Sequence, residues 1–403
     1  MDEKKLTGFF ESFIKKETIF LNRKVLLSNY TPNDVSHRDG EINQIAGILA
    51  PALKMERPSN LFIYGKTGTG KTLSAKHTVE QIKTVADKNN IPIKTIYLNC
   101  KLKKIADTEY RLIAQLAREF GKAIPPTGLP TDEVYKIFYS AIDSTEQLVI
   151  LILDEIDQLV KKAGDELLYN LTRINEDLLK SQISIIGVSN DLLFVNNLDP
   201  RVKSSLSEEE LVFPPYNALQ IKDILSQRAE SAFRAGIIGS GVIEKCSAYA
   251  AREHGDARRA LELLRVAGEI AERNNEQNVM LKHVDLAEEK IERECIIDIV
   301  KTQPKQFQLV LHAVMLLAED QKNSLFTGEV YDLYKQFCTK TRLRPLTQRR
   351  VSDVIAELDM LGIINAKVVS KGRYGRTREI SLATPPSINQ NIKEILAGEL
   401  ELT

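Results

Sequence analysis

Short, continuous apolar runs alternate with longer segments of helical periodicity over residues 35–213. The runs are rich in β-branched residues and lie at 60–64, 94–98, 148–153, 183–188 and 211–213. Strands that are buried on both faces of a parallel sheet have such continuous apolar sequences. Because helical segments separate the runs, the pattern predicts a doubly wound α/β fold with a parallel sheet of five strands.

The pattern changes after Pro214 and Pro215. Residues 217–298 have helical periodicity with breaks at 236–241 and at 254–255, which predicts a small helical domain. A second boundary is predicted at Gln303-Pro304.

The remaining segment has the outline of a winged helix, which is three helices followed by a hairpin. The helices are predicted over 306–320, 327–339 and 347–361, and the strands over 363–369 and 377–382. The glycines between these strands permit a hairpin turn. We therefore predict an α/β base domain over 1–215, a helical lid domain over 216–300 and a winged helix over 301–390.

Composition adds a local charge signal to this picture. The 403 residues include 55 basic and 55 acidic side chains, yet ten basic and three acidic ones lie between Lys340 and Arg378. The four cysteines lie far apart, without the spacing of a metal site or a disulfide framework. No apolar run reaches the ~18 residues of a membrane-spanning helix, and the first residues lack an apolar signal segment. We therefore expect a cytoplasmic protein without a membrane partner.

The strongest motif is Gly65-Lys66-Thr67-Gly68-Thr69-Gly70-Lys71-Thr72, which fits the pattern G-x-x-x-x-G-K-[ST] in full. It follows the first predicted strand and begins a helical segment. The glycines allow backbone N–H groups to point at phosphate oxygens, and the helix N-terminus adds a favourable dipole. The motif predicts a nucleotide site in which Lys71 reaches the β- and γ-phosphates and Thr72 binds Mg²⁺.

Polar residues follow two further strands of the predicted sheet. Asp154 and Glu155 come directly after the third strand, at the sheet edge where ligands bind. We expect Asp154 to hold Mg²⁺ and Glu155 to polarise the attacking water. Asn190 follows the fourth strand and is our candidate for contact with the γ-phosphate or the water, although a turn-forming role is the alternative.

Two arginines of the helical domain are candidates for phosphate contact. Arg228 lies on an apolar stripe with Ile221, Leu225 and Ala232, where an unpaired charge is costly. A nucleotide phosphate or a structural salt bridge would serve as its partner. Asp256 is placed to cap the next helix, which leaves Arg258 in the first turn and able to point into a cleft.

The winged helix offers two DNA-binding candidates. The amphipathic segment 346–361 begins with Thr347, Gln348, Arg349 and Arg350, and a recognition helix places such N-terminal residues at base edges. The hairpin tip is Lys371-Gly372-Arg373-Tyr374-Gly375-Arg376-Thr377-Arg378. Its cations suit phosphates or a minor groove. A basic loop in a winged helix that binds protein is the alternative.

Together these residues resemble a known family. The phosphate loop, Asp154-Glu155, Ser189-Asn190 and Gly255-Asp256-x-Arg258 match the Walker A, Walker B, first-sensor and second-sensor motifs of AAA+ ATPases. With the winged helix, the chain resembles the archaeal homologues of the eukaryotic origin recognition complex and its helicase-loading partner. The stretch 125–135 resembles the tip of that family's helical insertion (about 101–135), and 372–377 resembles its wing.

The resemblance implies an ATP-dependent replication initiator that binds double-stranded origin DNA and recruits the MCM helicase at the nucleoid, with paralogous initiators as further candidate partners. It implies that ATP or ADP, with Mg²⁺, is the cofactor, and that Tyr216 and Arg228 contact the nucleotide. It also places four insertion residues near the duplex, namely Pro126, Thr127, Gly128 and Leu129.

One position departs from the family pattern. Arg201 is present after the fourth strand, but Ser205 stands where related initiators can have a second arginine. An arginine that acts in trans can raise the rate of ATP hydrolysis by 10³–10⁵-fold. Because the second arginine is replaced here, we expect slow hydrolysis that resets a nucleotide-dependent switch.

Three other functions fit parts of the pattern. An ATP-fuelled motor would need a pore loop that the sequence lacks, and it would leave the DNA-binding end unexplained. A transcription regulator with a winged helix needs the same nucleotide switch and duplex binding, and only the resemblance favours initiation over it. A protein-interaction module would show no salt-dependent binding to DNA.

Overall fold

The computed structural model describes residues 18–28, 30–32, 34–101, 108–125, 127–206, 208–320, 325–370 and 376–401. The chain divides into two compact units, Met1–Val284 and Asp285–Thr403. Among the described residues, no helix has both the length and the apolar character needed to cross a membrane.

The first unit is built on a five-stranded parallel sheet in the order β2-β3-β4-β1-β5. The strands are β1 (Leu61–Tyr64), β2 (Ile93–Asn99), β3 (Gln147–Asp154), β4 (Ser181–Ser189) and β5 (Glu209–Val212). Each overlaps one of the predicted strands, so the predicted sheet is confirmed. β4 lies between β1 and β3, and the carboxyl ends of these three strands therefore meet at one edge of the sheet.

Both faces of this sheet are buried. Along β3, Val149, Leu151 and Leu153 belong to one core cluster, whereas Ile150 and Ile152 belong to another. Successive side chains of a strand point to opposite faces, so a strand with a core on each side needs apolar residues at every position. This arrangement explains why the strands appear in the sequence as unbroken apolar runs.

Eight α-helices lie between Asp39 and Ala232 in the described part of the first unit. They are α1 (Asp39–Leu49), α2 (Lys71–Lys88), α3 (Glu109–Glu119), α4 (Thr131–Ile142), α5 (Ile156–Ala163), α6 (Glu166–Arg173), α7 (Pro200–Leu206) and α8 (Ala218–Ala232). The predicted helical domain continues with α9 (Val242–Arg252), α10 (Ala257–Arg273) and α11 (Leu281–Thr302). The boundary between the two units falls within α11. The predicted breaks precede α9 and α10, and a further break before α11 was not predicted.

The second unit contains the winged helix. Its elements are α12 (Lys305–Asp320), β6 (Leu325–Phe326), α13 (Thr327–Lys340), α14 (Gln348–Met360), β7 (Ile364–Ser370), β8 (Arg376–Leu382) and α15 (Pro386–Glu399). The three predicted helices and both predicted hairpin strands are confirmed. The sheet has the order β6-β8-β7 and is antiparallel.

The final helix, α15, is absent from the sequence-based prediction. Ile388, Ile392 and Leu396 on α15 are buried in the same cluster as residues of α12, α13 and α14. The helix therefore completes the core of the winged helix.

Candidate functional site

A cavity of about 580 Å³ lies at the carboxyl edge of the parallel sheet. Its volume is within the range of small-molecule sites. The phosphate loop, the ends of β3 and β4 and the helices α8 and α10 all contribute to its lining. Ten predicted site residues line it, namely Gly68, Gly70, Lys71, Thr72, Asp154, Glu155, Asn190, Tyr216, Arg228 and Arg258. The other four predicted residues, Gly65, Lys66, Thr67 and Thr69, belong to the same loop.

Glycines at two loop positions permit the tight contacts of this site. Gly68 and Gly70 have left-handed backbone conformations, with φ of +69° and +88°. A Cβ atom on Gly68 would lie 1.7 Å from the Oδ1 atom of Asp256, and one on Gly70 would lie 2.7 Å from the hydroxyl oxygen of Tyr216. The loop therefore packs directly against the segments that follow β5 and α9, which leaves no room for side chains there.

Lys71 begins α2 and is buried within the loop. Its Nζ atom donates to the backbone oxygens of Gly65 at 2.8 Å and Lys66 at 2.6 Å. Burial, and next the guanidinium of Arg258, lowers the pKa of Lys71 to about 8. Both cations thus lie close enough to repel each other, an arrangement that a polyanionic ligand would stabilise.

The carboxylate of Asp154 accepts hydrogen bonds from three groups at the end of β3. The hydroxyl of Thr72 lies 3.1 Å from each carboxylate oxygen, and the hydroxyl of Tyr97 donates to Oδ2 at 2.8 Å. The backbone N–H of Glu155 donates to Oδ1 at 3.1 Å. Hydroxyl and carboxylate oxygens are ligands that Mg²⁺ accepts, so Thr72 and Asp154 fit the predicted metal role.

Two polar residues stand beside this pair at the sheet edge. Glu155 has a left-handed backbone, with φ of +54°, and its Oε2 atom lies 3.8 Å from the Nζ atom of Lys101. A non-glycine residue in this conformation is strained, and such strain is concentrated at functional sites. Asn190 lines the cavity directly after Ser189, whose hydroxyl donates to the buried Asp157 at 3.1 Å.

The start of α10 rests on the phosphate loop. Asp256 caps the helix as predicted, accepting from the backbone N–H groups of Arg258 at 2.8 Å and Arg259 at 3.4 Å. Thr67 donates to the other oxygen of Asp256 at 3.3 Å, and the N–H of Ala257 donates to the carbonyl of Gly68 at 3.3 Å. Arg258 is thereby brought to the cavity beside Lys71.

Arg228 lines another part of the cavity. The predicted stripe is confirmed, since Ile221, Leu225 and Ala232 are buried. The guanidinium lies 4.7 Å from the centre of the Tyr30 ring and donates to the carbonyl of Val25 at 3.5 Å. Burial lowers the pKa of Arg228. A ring and a carbonyl leave most of its donors available to a ligand.

Arg38, which no sequence pattern indicated, connects the loop to the segment after β5. Arg38 is buried, and it donates to the carbonyl of Thr69 at 2.9 Å and to that of Pro214 at 2.5 Å. Its guanidinium lies 4.0 Å from the centre of the Tyr216 ring and pairs with Glu41 at 2.7 Å. The two carbonyls that it bonds are far away in the sequence, so no local pattern indicates this role.

Tyr97 and Lys76 were also missed. The Nζ atom of Lys76 lies 3.3 Å from the centre of the Tyr97 ring, and both residues line the cavity. Burial and the charge of Asp154 raise the pKa of Tyr97 well above its usual value, so the phenol remains a donor to Asp154.

Arg201, at the position where related enzymes can carry a trans-acting arginine, is bonded within its own chain. Arg201 makes two hydrogen bonds to Asp199, of 3.1 and 3.0 Å, and lies 5.1 Å from the centre of the Tyr169 ring. Ser205 donates its hydroxyl to the carbonyl of Arg201 at 3.0 Å. In this conformation Arg201 is engaged in cis.

The predicted DNA-contacting residues of the winged helix lie on its surface where the structure describes them. Thr347 caps α14 by accepting from the N–H of Arg350 at 3.4 Å, and the first turn of α14 exposes Gln348 and Arg349. The N–H of Arg378, on β8, donates to Thr327 at 3.3 Å.

Several predicted contacts are only partly described or lie outside the described residues. For Arg376, the backbone is described, and it pairs with Ser370 at the start of β8. Lys371, Gly372, Arg373, Tyr374 and Gly375 lie outside the described residues, as does Pro126. In the insertion, Thr127 and Gly128 are exposed, whereas Leu129 packs partly against the core.

Three family models match successive parts of the chain. An AAA domain matches residues 54–192, a Cdc6 AAA+ ATPase-type lid domain matches 222–289, and the C-terminal winged helix domain of CDC6 matches 298–391. The α/β sheet, the helical lid and the winged helix of the predicted fold class are all confirmed.

Relatives match over nearly the whole chain. The ORC1-type DNA replication protein of Pyrococcus abyssi is 55% identical over 391 residues, which cover 96% of this chain and 93% of that protein. The ORC1-type DNA replication protein 1 of Methanosarcina mazei is 52% identical over 400 residues, covering 98% and 95%. The structure of the Aeropyrum pernix ORC1 protein in complex with DNA is similar, with a TM-score of 0.82 and 46% identity over 95% of this chain and 98% of that one.

Proposed function

Because the chain belongs to the family of archaeal ORC1-type DNA replication proteins, we propose that it is an ATP-dependent replication initiator. It binds the double-stranded DNA of a replication origin and helps recruit or load the MCM helicase. One observation carries the proposal: a cavity of nucleotide size joins Lys71, Thr72, Asp154 and Arg258 in a chain that ends in a winged helix. A nucleotide-controlled DNA-binding protein needs both parts.

In this proposal the phosphate loop and Lys71 hold the phosphates of ATP or ADP, while Thr72 and Asp154 hold Mg²⁺. Tyr216 and Arg228, which also line the cavity, contact the nucleotide. When ATP is bound, its γ-phosphoryl group can be transferred to water, with ADP as the leaving group. The glycines at 68 and 70 provide the narrow cradle, because side chains there would occupy the space of Asp256 and Tyr216.

Hydrolysis is assigned to residues at the ends of β3 and β4 and at the start of α10. Glu155 polarises the attacking water, Asn190 orients it, and Arg258 stabilises charge on the γ-phosphate. We propose that this reaction is slow, because Arg201 is engaged by Asp199 within its own chain and Ser205 replaces a second arginine.

The same contacts support a nucleotide-dependent switch. Asp256 joins the helical lid to the phosphate loop through Thr67, and Arg258 lies beside Lys71. A ligand that contacts both the loop and Arg258 stabilises the closed arrangement in proportion to its differential affinity. We propose that ATP and ADP set different lid states and that turnover resets them.

The DNA contacts are assigned to three places. The recognition helix contributes Thr347, Gln348, Arg349 and Arg350, and the wing contributes residues 371–376 together with Arg378. The insertion contributes residues 126–129. The related Aeropyrum pernix ORC1 protein was solved in complex with DNA, which supports duplex DNA as the partner. From membership of the same family we also propose that paralogous initiators are partners and that the protein is located at the nucleoid.

Fluorescence anisotropy tests this function. A labelled duplex from the origin of the encoding organism is compared with a scrambled duplex across a salt series. We expect tight, salt-dependent binding that prefers the origin duplex. The double variant Arg373→Ala/Arg376→Ala should weaken this binding by at least ~1–3 kcal/mol. Weak binding without preference, unchanged in the variant, would remove the claim of origin recognition.

A further inference from the structure

The turn between α13 and α14 has an unusual residue at its first position. After α13, the N–H of Leu343 donates to the carbonyl of Cys338 at 3.0 Å, and that of Arg342 donates to Thr339 at 3.4 Å. This pair of bonds defines the Schellman motif, in which the residue beyond the helix cap is left-handed and usually glycine. Here that residue is Arg342, with φ of +56°.

An arginine at this position carries a backbone cost. The left-handed conformation crowds a Cβ atom against the backbone, and glycine would remove this strain. Arg342 is exposed, so burial of its side chain does not compensate. Strain of this kind persists where the surrounding structure enforces it, and it is concentrated at functional sites.

Side chains from within the fold hold the rest of the turn. The hydroxyl of the buried Tyr334 accepts from the N–H of Leu346 at 2.9 Å and donates to Gln306. Gln306 in turn donates to the carbonyl of Arg344 at 3.1 Å, and Tyr331 donates to the carbonyl of Leu346 at 3.3 Å. The backbone from Arg344 to Leu346 is therefore held by side chains of two helices, α12 at Arg344 and α13 at Leu346.

Apolar and cationic residues alternate along this fixed backbone. Leu343 and Leu346 pack against the core of the winged helix, whereas Arg342 and Arg344 are exposed. A guanidinium carried on a rigid backbone loses less conformational freedom when it binds than one on a flexible loop.

The charge of this region is unbalanced. Five cations and no acidic residue lie between positions 340 and 352. Within the described ranges, neither Arg342 nor Arg344 has an ion-pair partner, whereas Arg350 lies 3.7 Å from Asp353. The planar fork of a free guanidinium matches the geometry of a phosphate.

We propose that Arg342 and Arg344 form a phosphate clamp that grips the backbone of duplex DNA beside the groove entered by α14. The proposal rests on the function proposed above, because it takes duplex DNA as the partner. In a helix-turn-helix the second helix reads bases from its N-terminus, and the turn directly precedes that end. Phosphate contacts fix the register and orientation of such a helix without reading sequence.

Neutralising both arginines tests the clamp. The full-length Arg342→Gln/Arg344→Gln variant is titrated against origin and scrambled duplexes across a salt series. We expect weaker binding to both duplexes by a similar factor, and a slope of log K against log salt that is shallower by about 2. The matched control is Lys335→Gln, a neighbouring cation already paired with Asp332 at 2.9 Å, which should leave the slope unchanged.

A second variant separates the clamp from a structural role. Arg342→Gly removes the cation and the backbone strain together. It should raise the thermal unfolding midpoint by roughly 2–4 °C while reducing the salt slope by about 1. If Arg342 served only the fold, Arg342→Gly would not combine a higher unfolding midpoint with a shallower salt slope.

The outcomes distinguish the clamp from the underlying function. If the wild-type chain binds duplex DNA with a steep salt dependence that the double variant retains, the clamp is wrong and DNA binding stands. A variant that loses affinity for the origin duplex alone would mean that the arginines read bases, which also overturns the clamp. If the wild-type chain binds neither duplex, both proposals fall.

Discussion

The hydroxyl of Tyr97 lies 2.8 Å from the Oδ2 atom of Asp154, the carboxylate that also faces the hydroxyl of Thr72. Tyr97 is on β2 and Asp154 ends β3, so the parallel pairing of these strands sets their distance. With one oxygen engaged by the phenol, the carboxylate is held in one orientation. Tyr97 therefore acts on the predicted metal site through Asp154.

Tyr97→Phe should weaken nucleotide binding only when Mg²⁺ is present. A single hydrogen bond to a charged group contributes about 1.5–3 kcal/mol, so we expect roughly a tenfold or larger loss of Mg²⁺-dependent affinity for ADP. Calorimetry with and without Mg²⁺ measures the difference. Tyr64→Phe makes the same change at a tyrosine bonded to Glu210, at 3.2 Å, and should leave both affinities unchanged. Equal losses with and without Mg²⁺ would argue against a role in orienting Asp154.

Gly68→Ala should abolish nucleotide binding and destabilise the fold. The added Cβ meets Asp256 at 1.7 Å and would push α10 away from the phosphate loop. The matched control is Gly121→Ala, because Gly121 has a similar φ of +77° and open space around its Cβ position. Both variants carry the backbone strain of about 1 kcal/mol, so any further loss in Gly68→Ala is steric. Calorimetric ADP titration and thermal unfolding separate the two effects, and intact ADP binding in Gly68→Ala would contradict the described contact.

Hydrolysis by the isolated chain should be slow and insensitive to Arg201→Ala. Arg201 is bonded to Asp199, and an arginine engaged in this way contributes little to the charge on a transferring phosphate. We expect a single-turnover rate below about 1 s⁻¹ and a change of less than about threefold in the variant, against the 10³–10⁵ of an active trans-acting arginine. Glu155→Gln is the positive control and should lower the rate further. A fast rate that Arg201→Ala reduces by orders of magnitude would show that Arg201 leaves Asp199 to act in trans.

Stability of the winged helix should fall as the pH drops through the titration of His312. This residue is buried on α12, and its Nδ1 atom has no hydrogen-bond partner among the residues that the structure describes. Burial, and next the charge of Lys393, lowers the pKa of His312 below its ordinary 6.5. The folded state therefore favours the neutral ring. The contribution of His312 to stability is fully present above the pKa that the residue has in the unfolded chain, and it is lost as the pH falls toward the lower pKa of the folded state.

Urea unfolding, followed by circular dichroism at about pH 7.5 and about pH 5, measures this effect. His312→Leu should reduce the difference between the two midpoints, because leucine cannot take up a proton. A difference of the same size in His312→Leu would place the pH sensitivity in other groups.

The features of the fold that could be predicted from sequence depend on neighbouring residues in the chain or on a uniformly apolar environment. The strands of the sheet could be predicted because a core on each face requires apolar residues throughout, as in β3. The phosphate loop could be predicted because its glycines and the following helix are consecutive. The cap at Asp256 is also local, since its acceptor serves N–H groups two and three residues on.

Other parts depend on contacts between distant segments. Arg38 bonds to Thr69 and Pro214, and only the folded sheet brings those carbonyls together. The helix α15 begins after Pro385 with no charged residue in its first turn, and its apolar face is explained by the winged-helix core that it covers. Arg342 is indistinguishable from other surface cations until its left-handed backbone is seen.

Whether the chain is a replication initiator can be measured as its occupancy of the genome that encodes it. Chromatin immunoprecipitation is compared with replication start sites mapped by marker frequency in growing cells. We expect the strongest occupied sites to coincide with a replication start. Occupied promoters without occupancy at any replication start would contradict it and would identify an ATP-controlled transcription regulator instead.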